Sequence, residues 1–80
     1  MTKEEVIETV NAFLVEDFDL DKNSITPEST ITTDLGIDSL DIIDIIVSVK
    51  EKFGFKLEKD ELIGVKTLAD LYELIYSHVK

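Results

Sequence analysis

Apolar residues recur at helical spacing in three stretches of this chain. In the first, Val6, Val10 and Leu14, joined by Ile7 and Phe13, mark one face of an amphipathic helix. Thr2-Lys3-Glu4-Glu5 ahead of them reads as a capping box, with Thr2 as cap and Glu5 three residues on. The pattern fades near Asp17. A second stretch opens at Ser39 and stops at Phe53-Gly54, glycine being a good helix terminator. It holds too many apolar residues for one face. Ile42, Ile45, Ile46, Val49 and Phe53 form a stripe that should face the core, while Leu40, Ile43 and Val47 form a neighbouring stripe. A strand fails over 42–49, because the polar residues do not alternate. The third stretch has Thr67 as cap, Asp70 three residues on, and Leu68, Leu71, Leu74 (or Ile75) and Val79 as its apolar face. Glu58–Ile63 adds one or two turns before Gly64.

Between the first two helices, residues 18–37 have no sustained period and contain the only proline, Pro27. A loop of about twenty residues is unusual in a compact domain and points to an anchored or functional segment. Leu20, Ile25, Ile31, Leu35 and Ile37 are the candidate anchors, and Thr26-Pro27-Glu28-Ser29 suggests a short helical turn. The expected fold is all-α: one domain over residues 1–80, built as a small bundle of three main helices and one short helix with a long first loop.

Composition narrows the function. Eighteen acidic residues against eight basic ones give a net charge of -10, which excludes nucleic acid as a direct partner and favours basic protein surfaces. The imbalance is steepest over residues 1–40, with ten acids and two lysines. No cysteine is present, so any thiol chemistry must come from a cofactor. No apolar run approaches the ~20 residues that span a bilayer, and Met1-Thr2-Lys3-Glu4-Glu5 lacks the basic region and apolar stretch of a signal peptide, so a cytoplasmic soluble domain is expected; a monomer is expected as well.

Asp34-Leu35-Gly36-Ile37-Asp38-Ser39-Leu40 carries the most specific signal. Gly36 allows a sharp turn, Asp38 is a good N-cap, and Ser39 falls at the positive end of the helix dipole, where an attached phosphate is stabilised. This motif, the length, the acidity and the helix order together resemble the acyl carrier protein family. Val65-Lys66-Thr67 before the last helix and Phe53 at the end of the second also correspond.

The resemblance implies a carrier, not an enzyme. Ser39 would hold a 4′-phosphopantetheine arm donated by coenzyme A, whose thiol carries acyl groups as thioesters. Asp38 would help a phosphopantetheinyl transferase engage. Asp41 and Asp44 would meet basic docking patches on acyl-processing enzymes, with Leu40, Ile43 and Val47 as apolar contacts. A folded-back acyl chain would lie against Ile42, Ile46, Val49 and Phe53. The implied pathway is fatty acid biosynthesis. One departure is Lys50-Glu51-Lys52, where the family usually continues an acidic run. It raises a dedicated carrier for a polyketide-like or other specialised acyl pathway as the alternative.

Simpler explanations cover the remaining candidates. Leu40, Ile43 and Val47 are either core residues of a helix buried on most sides or an exposed docking stripe. Charged neighbours Asp41, Asp44 and Lys50 favour exposure. His78 reads as a frayed, solvated residue near the end of the chain. Asp17, Asp19 and Asp21 resemble the start of a calcium loop, but Lys22 stands where glycine is needed, so no metal site is expected. Ser39 as a hydrolase nucleophile lacks the Gly-x-Ser-x-Gly elbow. An acidic helical interaction module without a prosthetic group explains the charge, but not the serine at the helix head.

Overall fold

Each main helix begins where a side chain supplies the acceptor that its first N–H groups lack. The computed structural model describes residues 1–80. Helix α1 spans Lys3–Phe18, α2 Ser39–Phe53, α3 Lys59–Ile63 and α4 Leu68–Val79. Thr2, Asp38 and Thr67 cap the three long helices, and Glu5, Asp41 and Asp70 return the bond to the cap's own N–H. At α3 the Glu61 carboxylate accepts the Glu58 N–H at 3.2 Å. α1 runs one residue beyond Asp17 and ends on Asp19, which adopts a left-handed φ of 58°. Aspartate tolerates that conformation better than most residues.

α1 packs against α4 and α2, and α2 against α3, around a core of Val6, Val10, Phe13, Leu14, Ile45, Val49, Leu57, Leu68, Leu71 and Ile75. In the last helix it is Ile75 that is buried, while Leu74 is half-buried. Polar ties cross the bundle as well. The Ser48 hydroxyl donates to Asp17 at 3.1 Å, joining α2 to the end of α1. The Tyr72 hydroxyl donates to Asn11, joining α4 to α1, and burial raises the phenol's pKa above its ordinary value.

The long loop is anchored, but by more than apolar contacts. Ile31, Leu35 and Ile37 are buried and Leu20 and Ile25 are half-buried. In addition, Ile31 donates its N–H to Lys66, Leu68 to Ser29, and Ala69 to Pro27, at 2.9–3.1 Å. The loop is thereby laced along the α3–α4 junction, with a single antiparallel bridge between Thr30 and Thr67. The helical turn expected at Thr26–Ser29 is a plain turn instead, closed by Ser29 N–H to Thr26 at 3.0 Å. The one helical turn of the loop is 3-10 and lies earlier, at Lys22–Ser24, where the Asp21 carboxylate accepts the Asn23 N–H. Asp17 and Asp21 of the calcium-like run thus serve structural bonds.

His78 is not frayed. Its ring stacks on Phe55 with centroids 4.5 Å apart, and Nε2 lies 2.9 Å from Glu61. Sequence spacing hides this, because α3, the preceding loop and the end of α4 meet only in the folded chain. The His78 contact, followed by the Glu58 N–H, lowers the Glu61 pKa. The Thr67 and Lys66 N–H groups lower that of Asp70, and the Thr2 N–H lowers that of Glu5.

These three carboxylates titrate below their unfolded values, so the stability they contribute is present above the ordinary carboxylate range. It is lost as pH falls through the lowered folded values. Asp70→Asn should therefore melt below the parent at neutral pH. The gap should close on acidification, because a protonated aspartate resembles asparagine. Thermal melts across a pH series check this; a gap that persists below the lowered value contradicts it.

Candidate functional site

The approach to α2 is a tight, tied turn. The Asp34 carboxylate accepts the Thr30 N–H at 2.8 Å, while Asp34 and Leu35 donate their own N–H groups to the Thr30 carbonyl. Gly36 then takes a φ of 69°, which residues with a Cβ rarely adopt. Ile37 is buried and donates to the Ile31 carbonyl at 3.0 Å. Asp38 and Ser39 follow with no slack, so the start of α2 has a fixed position on the bundle.

One oxygen of Asp38 accepts the N–H groups of both Leu40 and Asp41 at 3.0 Å. Asp41 accepts the Asp38 N–H at 3.3 Å, which ties part of its carboxylate to the helix start. Ser39 is the first residue of α2 and is exposed. Its hydroxyl makes no hydrogen bond within the protein, and its N–H is not among those the Asp38 carboxylate takes up. A phosphodiester on Ser39 Oγ fits that arrangement. The oxygen is accessible and unencumbered, and the helix end offers a free N–H and a favourable dipole.

Downstream of Ser39 the surplus apolar stripe lies on the surface. Leu40 is 73% exposed, Ile43 47% and Val47 51%, whereas Ile45 beside them is buried. These exposed aliphatic side chains align on one helix face and form an apolar ridge beside Ser39. Asp44 is exposed and its carboxylate makes no hydrogen bond or ion pair within the protein. Asp41 is half-buried and partly committed to the cap. Ile63 on α3, 74% exposed, adds an apolar side chain that the sequence reading did not single out. Its place beside Gly64 at the end of a short helix was the available signal.

The inner stripe divides differently. Val49 is buried, while Ile42, Ile46 and Phe53 are half-buried and pack against the core. No enclosed cavity lies behind these four residues; the nearest hollow is an open groove where Ile46 meets Val47, Lys50, Glu51 and Lys56. A second open cleft, between the end of α1 and the start of α2, is walled by Glu16, Asp19, Asp41 and Asp44 and floored by Phe18, Leu35 and Ile37. No helix is long and apolar enough to cross a membrane.

Comparison with known proteins matches nearly the full chain. Residues 8–75 match the family described as "Phosphopantetheine attachment site". The acyl carrier protein of Lactobacillus acidophilus is 32% identical over 78 residues, covering 98% of each chain. That of Helicobacter hepaticus is 34% identical over 71 residues, covering 89% of this chain and 93% of the relative. A meromycolate extension acyl carrier protein of Mycobacterium leprae is 33% identical over 75 residues, which is 94% of this chain and 65% of that protein. A helical bundle of this length, with an open serine at the head of its second helix and relatives matched from end to end, belongs to the acyl carrier protein family.

Proposed function

We propose that Ser39 is the attachment point of the 4′-phosphopantetheine arm and that the exposed face of α2 presents the loaded arm to acyl-processing enzymes. The observation that carries this is the Ser39 hydroxyl, exposed and unbonded at the first position of a helix whose cap, Asp38, holds it in place. As a member of its family the chain is a carrier and not a catalyst, and its prosthetic group is covalently bound phosphopantetheine. When bound, that arm supplies a thiol that holds acyl groups as thioesters, which no side chain of a cysteine-free protein can do.

Loading requires Ser39 Oγ to attack the phosphorus of coenzyme A that bears the pantetheine arm. An Oγ–P bond forms, the P–O bond to the adjacent phosphate breaks, and adenosine 3′,5′-diphosphate leaves. The hydroxyl proton passes to a base on the transferase. The chain's own part is to present the oxygen, to keep it free of competing bonds, and to offer Asp38 and Asp44 to a basic transferase surface. Intact-mass measurement after incubation with coenzyme A and a phosphopantetheinyl transferase should show one added arm. No mass gain with any competent transferase overturns the assignment.

Fatty acid biosynthesis is the pathway we assign, on the general acyl carrier resemblance over nearly the full chain. A specialised acyl pathway is the second reading. It is favoured by Lys50-Glu51-Lys52 and by the similarity to a carrier named for meromycolate extension.

The wall for a folded-back acyl chain is Ile42, Ile46, Val49 and Phe53. With no cavity ready behind them, room must come from repacking. Each methylene moved from water into the core contributes about 0.8 kcal/mol before that opening cost. Melting temperature should rise along a series of acyl forms, at fixed salt, and level off when the space is filled. A flat series from the bare arm to a medium-length chain means the cargo stays in solvent.

A further inference from the structure

The charge of α2 changes sign along its length. Residues 34–44 carry four aspartates and no basic residue, 45–49 carry no charge, and 50–59 carry four lysines against two glutamates. In a chain with 18 acids and 8 bases, each lysine has carboxylates to spare as internal partners. Yet the lysine ion pair of the protein is Lys3 with Glu73, and Glu61 is engaged by His78. Lys50, Lys52, Lys56 and Lys59 are exposed and unpaired.

Position makes this more than a solvated charge run. Lys50, Glu51 and Lys56 edge the open groove floored by half-buried Ile46, and Val47 belongs both to that groove and to the Leu40-Ile43-Val47 ridge. The ridge therefore runs from an acidic end into one where lysines outnumber the single glutamate among them. Asp41 and Lys52 are eleven residues apart, which places them on one flank of the helix about 16 Å apart along its axis.

Resting on the reading of α2 as the docking face, we propose that it is built for a bipolar partner. That partner is an acyl-processing enzyme with a basic patch where the Ser39 end lands and a cluster of carboxylates about 16 Å further on. The apolar ridge runs alongside, roughly a third of a turn around the helix from that flank. Opposite charges meet at both ends, which fixes the direction of docking as well as its register. A partner surface that is basic throughout is repelled at the lysine end, so Lys50 and Lys56 select against it.

The test uses the phosphopantetheine-loaded protein. The probe is whichever purified condensing enzyme of the source organism elongates its thioester fastest. Association is followed by stopped flow at low ionic strength. Lys50→Glu/Lys52→Glu/Lys56→Glu should slow association by about tenfold, within the range that charge steering supplies, and added salt should shrink the difference. Replacing the same lysines by Gln should give a smaller loss in the same direction. Circular dichroism and mass gain with the transferase confirm that both variants fold and load.

An unchanged or faster association in the lysine variants overturns the proposal, since it means the partner surface is neutral or basic there. Asp41→Asn/Asp44→Asn is the separate arm. If it alone leaves association unchanged, the acidic end does not dock and the bipolar arrangement falls with it. Loading of Ser39, read by mass, stands or fails independently.

Discussion

Ser39→Ala is expected to abolish the mass gain from coenzyme A completely while leaving the fold intact. Both halves follow from the local geometry. The Ser39 side chain is exposed and bonded to nothing in the protein, so its removal costs no packing and no hydrogen bond. Alanine is the best helix former, and the cap of α2 comes from Asp38, not from Ser39. Stability should therefore stay within about 0.5 kcal/mol of the parent. The chemistry, by contrast, depends on one oxygen. Asp38→Ala separates the two roles: it keeps the hydroxyl but removes the acceptor shared by the Leu40 and Asp41 N–H groups, at a cost of about 1 kcal/mol. It should still load, more slowly and onto a less stable protein. Modification of the alanine variant, or loss of helical circular dichroism from it, contradicts this account of Ser39.

The second large effect is on stability, and it contrasts two aliphatic residues three positions apart. Ile37 is 2% exposed and Leu40 is 73% exposed. Ile37→Ala removes buried methylenes at the point where the loop enters α2, and such truncations cost about 2–5 kcal/mol. For a domain of this size that lowers the melting temperature by on the order of 10 °C or more. It also loosens the turn that holds Asp38 and Ser39 in place, so loading should slow as well. Leu40→Ala should leave the melting temperature within a few degrees of the parent, because little area leaves contact with the core. It should instead weaken association with acyl-processing enzymes. Melting curves of the two variants decide the matter: equal losses would mean that the division between anchor and ridge is wrong.

The chain by itself determined the three long helices and their starts. Caps, capping partners and the 3.6-residue period all relate residues within four positions of each other. A reader of the sequence therefore has the whole interaction in view at Thr2-Glu5, Asp38-Asp41 and Thr67-Asp70. The same locality made Ser39 legible, since its setting is a turn, a cap and one helical residue. The surplus of apolar positions on α2 was visible too, and charged neighbours indicated the side on which they are exposed.

Tertiary structure decided what crosses long separations. The lacing of Pro27, Ser29 and Ile31 onto Lys66, Leu68 and Ala69 is made of backbone N–H and carbonyl groups, which every residue type carries and no pattern announces. His78 reads as a frayed end in the sequence because its partners, Phe55 and Glu61, lie far back along the chain and come within reach only when α3 and α4 are packed. The fates of Asp17, bonded to Ser48, and of Asn11, bonded to Tyr72, were hidden for the same reason. Which of Ile42, Ile46, Val49 and Phe53 is buried outright also waited for the fold, because periodicity specifies a direction around a helix but not how much protein stands in that direction.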